Sequence, residues 1–244
     1  MASESLLLAL CSATRTASVA LLRGGDVLAE GAEDAGRHQA ECLLPLVDAV
    51  LGQGGCALSE VQGFALAIGP GSFTSLRVGL ATVKGLAFGA DTPVAAVSAL
   101  RAVAAGTGAG RDPLIPIVAT LDAKREEVYA AAFASSEALW RPRADVLGES
   151  VYTVEELAEQ LPERCLVAGE GVALLGERLR ALRGPGIELV AEDSGEPRAA
   201  VVGHLGADML AAGEGRTAAE LVPRYVRRAE AEVTRTARRF EDAG

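Results

Sequence analysis

Apolar positions in the first third of the chain fall into short runs bounded by polar and glycine turns. Ser5–Cys11 is one such run and predicts a buried central strand. Ala17–Arg23 and Val27–Ala32, joined by Gly24-Gly25-Asp26, predict a hairpin. From His38 to Leu51 the spacing becomes helical, with Leu43, Val47, Val50 and Leu51 on one face and Pro45 inside as an expected kink. Gln62–Ile68 and Pro93–Val97 read as further strands, with Thr74–Phe88 a helix between them. Gly106–Pro113 (GTGAGRDP) reads as a linker. The strand pattern then restarts at Leu114–Leu121, Glu127–Phe133 and Asp145–Tyr152. Helices follow at Val154–Leu161, Gly171–Leu182 and Ala199–Ala212, with short strands at Cys165–Ala168 and Ile187–Val190. Hairpins open each half and α/β alternation closes it, a repeat in pattern and not in letters. The chain is therefore expected to be α/β with two lobes, each a mixed sheet with helices. The expected divisions are residues 1–105, 106–223 and an Arg-rich tail over 224–244.

Composition narrows the function. Apolar residues make up 50% and charged residues 23%, an ordinary globular balance. The 23 basic and 33 acidic residues leave a net charge of −10, which argues against a chain that grips nucleic acid by itself. Lys occurs only at Lys84 and Lys124, the other basic residues being Arg, and this reads as coding bias. Cys11, Cys42, Cys56 and Cys165 show no metal-ligand spacing, which fits a reducing compartment and no structural zinc. SLLLALCSA lacks the basic start of a signal peptide, and no apolar run is long enough to span a membrane. A cytoplasmic protein is expected.

The sharpest local feature is Gly69-Pro70-Gly71-Ser72-Phe73-Thr74, between a strand and a helix. Ser72 or Thr74 can cap the helix, and its N-terminus could hold an anion; a plain structural turn is the other reading. The loop lacks the Gly-Lys-Ser/Thr of a nucleoside triphosphate loop. Cys11, His38, His204 and Asp122 form no evident nucleophile–base couple, and Asp122 reads either as a cleft carboxylate after its strand or as the cap of a turn before Lys124. The helix TSLRVGLATVKGLAF is apolar or small nearly all round. Leu76, Leu80, Val83 and Ala87 form one face, and Ser75, Val78, Gly79, Thr82 and Gly85 a second. With one face on the sheet, the second is expected to meet a partner helix. Together with His38, Leu43 and Val47 of the preceding helix it would form a two-helix patch. Gly79→Arg would then leave a folded chain that no longer binds.

LLLALCSATRTASVALL, RHQAECLLPLVDAVL, GPGSFTSLRVGLATVKGLAFG, AAVSAL, LDAKREEVYAAAF and ELVPRYVRR follow one another over nearly the whole chain. In this order they resemble the TsaB (YeaZ) family. The resemblance implies the actin/Hsp70/sugar-kinase (ASKHA) fold and a non-catalytic subunit. Such chains pair with the related TsaD through two helices of the first lobe, and the ATPase TsaE joins them. The complex forms threonylcarbamoyladenosine next to the tRNA anticodon, so tRNA is met indirectly, and a homodimer is the alternative for the chain alone. The resemblance further implies no catalytic residue, no metal and no cofactor in the isolated chain, with nucleotide left open only within the complex.

Four positions depart from the family pattern. Cys11 stands where an Asp usually ends the first strand, and a thiol is a poor magnesium ligand. Ala99 and Val103 stand where TsaD-like chains carry His-x-x-x-His, and Ser75 replaces a Gly. A stand-alone ASKHA nucleotide-dependent kinase or ATPase is the rival reading, with VAGEG (Val167–Gly171) as its second phosphate loop. A Cys or Ser hydrolase is the third, and no residue stands out as its base.

Overall fold

The computed structural model describes residues 5–36, 38–108, 112, 114–134, 143–190 and 196–226. Strands β1 (Leu6–Cys11), β2 (Thr16–Arg23) and β3 (Asp26–Asp34) form an antiparallel meander. Parallel strands β4 (Gly63–Gly69) and β5 (Val94–Ser98) extend it on the other side, giving the order β3-β2-β1-β4-β5. The second sheet repeats this plan. Its strands β6 (Ile117–Asp122), β7 (Val128–Ala134) and β8 (Arg143–Tyr152) are antiparallel, and β9 (Cys165–Ala168) and β10 (Ile187–Leu189) add in parallel. The order β10-β9-β6-β7-β8 is the first order read from the other end. This duplicated mixed sheet is the ASKHA arrangement expected from the sequence.

Helices cover both faces of each sheet. Helices α1 (Gln39–Gln53) and α2 (Phe73–Leu86) lie on the outer face of the first sheet. Helices α4 (Val154–Gln160) and α5 (Gly171–Arg183) lie on the outer face of the second. Between the sheets sit α3 (Ala99–Gly108) and α6 (Ala199–Ala211). Because both faces are buried, β1 reads as an unbroken apolar run. Leu6, Leu8 and Leu10 point to the outer core, and Leu7, Ala9 and Cys11 to the central one.

Helix α3 occupies Ala99–Gly108, whereas the sequence reading ends a strand at Val97, opens a linker at Gly106 and assigns no element between them. Ala99, Leu100, Ala102, Val103, Ala104 and Ala105 are all buried, and Arg101 is the one charged residue of the helix, so small apolar side chains fill most of its circumference. The linker's residues 109–111 and 113 lie outside the described residues. Helix α6 follows the second lobe in sequence yet packs on β1, β2, β4 and β5 of the first sheet. The chain then stays with that sheet: Arg216 bridges to Val94 on the free edge of β5, and Leu221 enters the outer core. By packing, the first unit combines residues up to about 98 with 199–226, whereas a division by chain order puts 199–223 in the second lobe. Of the expected tail, Arg224 bonds to the first sheet and Tyr225 packs on α2, and 227–244 lie outside the described residues. Pro45 lies on the exposed side of α1, which runs on through it.

Candidate functional site

The signature loop joins β4 to α2 and docks on the turn between β1 and β2. The Ser72 backbone N–H donates to the Ala13 carbonyl at 2.9 Å. A Cβ on Gly71 would stand 2.2 Å from that carbonyl oxygen, so only glycine allows this approach. Gly69 has φ 121 and is followed by a cis peptide to Pro70. From the other side, Gln39 at the start of α1 donates through Nε2 to the Thr14 and Arg15 carbonyls, at 2.9 and 3.2 Å. Ser12 Oγ donates to the Ser75 carbonyl at 2.9 Å. The turn is thus held by both α1 and α2. Ser72 takes the N-cap position of α2, but its side chain makes no capping bond and instead accepts from Ser75 Oγ at 3.0 Å. Thr74 is exposed within the first turn. The Ser72 N–H is spent on Ala13 and Gly71 is pressed against the same carbonyl, which favours the structural reading of the loop.

Helices α1 and α2 lie side by side, and their inner faces are core. Leu43, Val47, Val50 and Val83 are buried against the sheet. Leu43 and Val47 therefore do not face a partner: the apolar stripe that makes α1 helical is the stripe that the sheet covers. Gly79 corrects the expectation in the same way. A Cβ there would lie 2.3 Å from Ser12 Oγ and 3.4 Å from Leu66 Cδ1, so Gly79 faces the sheet. Ser75 is buried beside it. The other small residues turn outward. Val78 and Thr82 are half-buried, and Gly85 is exposed with no atom within 4 Å of an added Cβ. His38 is exposed at the start of α1, with Nδ1 3.5 Å from a Glu41 carboxylate oxygen.

The exposed surface adds residues that sequence reasoning missed. Ala81 completes the outward stripe of α2, and Phe88 just beyond it is 90% exposed. Leu44 of α1 is 49% exposed between the buried turns of Leu43 and Val47. An i, i+4, i+7 count from Thr74 through Val78, Ala81 and Gly85 to Phe88 finds this stripe once the buried face is known.

The remaining chemical candidates form no reaction centre. Cys11 is fully buried, and burial pushes its thiol up to about 12. Asp122 caps the following turn: its Oδ1 accepts from the Lys124 backbone N–H at 2.6 Å, and its Oδ2 pairs with Lys124 Nζ. Lys124, Arg125 and Glu126 all have positive φ in that turn. His204 is half-buried on α6, and burial lowers its pKa. In the VAGEG loop, burial, the nearby Glu196 carboxylate and the more distant Asp122 raise the Glu170 pKa. Ala99 and Val103 are fully buried apolar side chains and offer no ligand atom. Among the described residues no group of His, Cys, Asp and Glu could hold a metal ion, and no helix is long and apolar enough to cross a membrane.

The buried thiol carries a pH prediction. All four cysteines are free. The unfolded Cys11 thiol ionises near its ordinary 9.0, while the folded one keeps its proton to about 12. Its contribution is complete below pH 9 and is lost as pH rises from 9 toward 12, at about 1.4 kcal/mol per pH unit. Denaturant unfolding at pH 8.5 and 10.5 should therefore show a steeper loss in the wild type than in Cys11→Ala. Parallel profiles would contradict this account.

The duplicated mixed sheets, with the GPGSFT loop docked on the β1–β2 turn, define an ASKHA-fold protein. The family model for TsaD, tRNA N6-adenosine threonylcarbamoyltransferase, matches residues 32–233. The tRNA threonylcarbamoyladenosine biosynthesis protein TsaB of Haemophilus influenzae is 36% identical over 163 residues, 64% of this chain and 67% of that one. TsaB of Escherichia coli is 34% identical over 170 residues, 68% and 71% of the two chains. Among solved structures, YeaZ from Pseudomonas aeruginosa superposes with a TM-score of 0.77 at 34% identity, covering 91% of this chain and 99% of that one. The chain belongs to the TsaB (YeaZ) family.

Proposed function

We propose that this chain is a non-catalytic subunit of tRNA threonylcarbamoyladenosine formation that pairs with a TsaD-like protein through the outer faces of α1 and α2. The observation that carries this reading is the outward stripe of Thr74, Val78, Ala81, Gly85 and Phe88, beside Leu44, on a chain that itself matches the TsaD family model. A TsaD-like protein has counterparts of the same two helices, so like surfaces can pair about a pseudo-twofold axis. Small residues on the stripe let the helix backbones approach closely. The same surface would pair two copies of this chain when no TsaD-like protein is present. A TsaE-like ATPase would join the pair. With a net charge of −10 the chain would meet tRNA indirectly, through the complex, in the cytoplasm.

The reading assigns the chemistry to the partner. Ala99 and Val103 are core alanine and valine, and Cys11 lies sealed at the end of β1. Glu170 and Glu196 set negative charge at the VAGEG loop, which opposes a nucleotide phosphate there. Nucleotide and metal would thus be held only in the complex.

Co-purification with the TsaD-like protein, run beside calorimetry of the isolated chain with ATP and magnesium, tests this. A one-to-one complex and no nucleotide heat are expected. Nucleotide binding or turnover by the chain alone would favour the kinase or ATPase reading, and failure to form the complex would overturn the subunit reading.

A further inference from the structure

The segment after α6 ends in contacts that reach both sheets. The Arg224 backbone N–H donates to the Ile68 carbonyl at 2.8 Å, extending the last bonds of β4. Its carbonyl oxygen would stand 2.7 Å from a Cβ on Gly69. The next residue, Tyr225, stacks on Phe73, with ring centroids 5.0 Å apart and 28° between planes. The Arg77 guanidinium carbon lies 3.8 Å from the centre of the Phe73 ring, and its Nε donates to the Tyr225 hydroxyl at 2.8 Å. Phe73 and Arg77 open α2, next to Thr74 and Val78 of the outward stripe.

The Arg224 side chain points to a carboxylate of the other sheet. Its Nε is 3.2 Å from Oε2 of Glu149 on β8. The Glu149 side chain is only 8% exposed. Oε1 accepts from Ser98 Oγ at 2.5 Å, and that hydroxyl in turn accepts from the Arg101 backbone N–H at the start of α3, at 3.2 Å. Oε2 has no aligned hydrogen bond, so charge is what ties it to Arg224. One carboxylate therefore joins the second sheet, the β5–α3 junction and the C-terminal segment.

We propose that Glu149 is a positioning residue for the partner surface: through Arg224 it holds Tyr225 against Phe73 and Arg77, and so fixes the first turn of α2 as presented to the partner. The proposal rests on α1 and α2 being that surface. A carboxamide at position 149 could still accept from Ser98 but would have no charge for Arg224. Breaking the tie frees the segment, and the stacked ring with it.

The test uses the full chain with Glu149→Gln, Tyr225→Ala and the double variant. Arg224→Gln cuts the same tie from its exposed side, should Glu149→Gln fold poorly. Hydrogen exchange is read at the Arg224 amide and at β7, and affinity for the TsaD-like protein by calorimetry. Glu149→Gln should speed exchange at Arg224 about tenfold while leaving β7 unchanged, and weaken binding about tenfold. The double variant should bind no worse than Tyr225→Ala alone, because both changes act through the same ring. Unchanged exchange at Arg224, unchanged affinity, or additive losses would overturn the positioning role. A wild type that binds no TsaD-like protein would overturn the surface reading on which it rests. Loss of binding in Gly85→Arg with full binding in Glu149→Gln would overturn the positioning role alone.

Discussion

Gly79→Arg should yield a chain that does not reach the native fold. Gly79 lies on the inner face of α2, where an added Cβ would come within 2.3 Å of Ser12 Oγ. Ser12 is fully buried, and its hydroxyl is committed to the Ser75 carbonyl. Even Gly79→Ala must displace that hydroxyl, which costs about 1 kcal/mol for the hydrogen bond and roughly offsets the gain in helix propensity. Arginine adds a long cation with no exit past Leu66. Overpacking and an unpaired buried charge together exceed about 5 kcal/mol, a large part of the stability of an ordinary domain. Far-UV circular dichroism and thermal melting check this. The expected outcome is insoluble protein, or a midpoint lowered by roughly 10 °C or more. A melt within a few degrees of the wild type would place Gly79 on the outside after all.

The two faces of α2 explain why the sequence is legible up to this point and no further. Ser75 and Gly79 on one side, and Val78, Thr82 and Gly85 on the other, are all small and uncharged. A period near 3.6 shows that α2 is buried on more than one side, yet it does not say which uncharged side meets the sheet. Ser12 settles that for Gly79, and Ser12 lies far away in sequence. For α1 the error had the opposite source. Leu43 and Val47 form so clear a stripe that they look available, but a clear stripe marks the face already covered, and the partner is offered what lies beside it, such as Leu44.

Strands were easier to read because burial on both faces writes a continuous apolar run, as in β1 and β6. Nearly the same burial hid α3, a short run of small apolar residues with Arg101 as its one charge. The packing of α6 on the first sheet is set by topology and leaves no mark in its own residues. Glu149 and Arg224 look like two ordinary surface charges until the fold brings β8 and the C-terminal segment together.

Gly85→Arg should do the reverse of Gly79→Arg: keep the fold and abolish partner binding. The two glycines lie six residues apart on one helix, about 120° apart around it, so one faces the sheet and the other faces outward. Nothing stands within 4 Å of a Cβ at Gly85, and the residue is exposed, so arginine can extend into water in the isolated chain. Replacing a glycine in the last turn of α2 should leave the helix as stable as before or slightly more so. In a helix-to-helix contact the same side chain would hold the backbones apart and bury its charge unpaired, at a cost of more than about 3 kcal/mol, or over a hundredfold in affinity. Phe88→Ala removes an exposed aromatic at the end of the same stripe, and should weaken binding by about 2 kcal/mol, as for an interface anchor. Calorimetry with the TsaD-like protein measures both losses, and melting curves within about 2 °C of the wild type or above it exclude unfolding as their cause. Native-like Gly85→Arg protein with unchanged affinity would move the partner surface off α2 altogether.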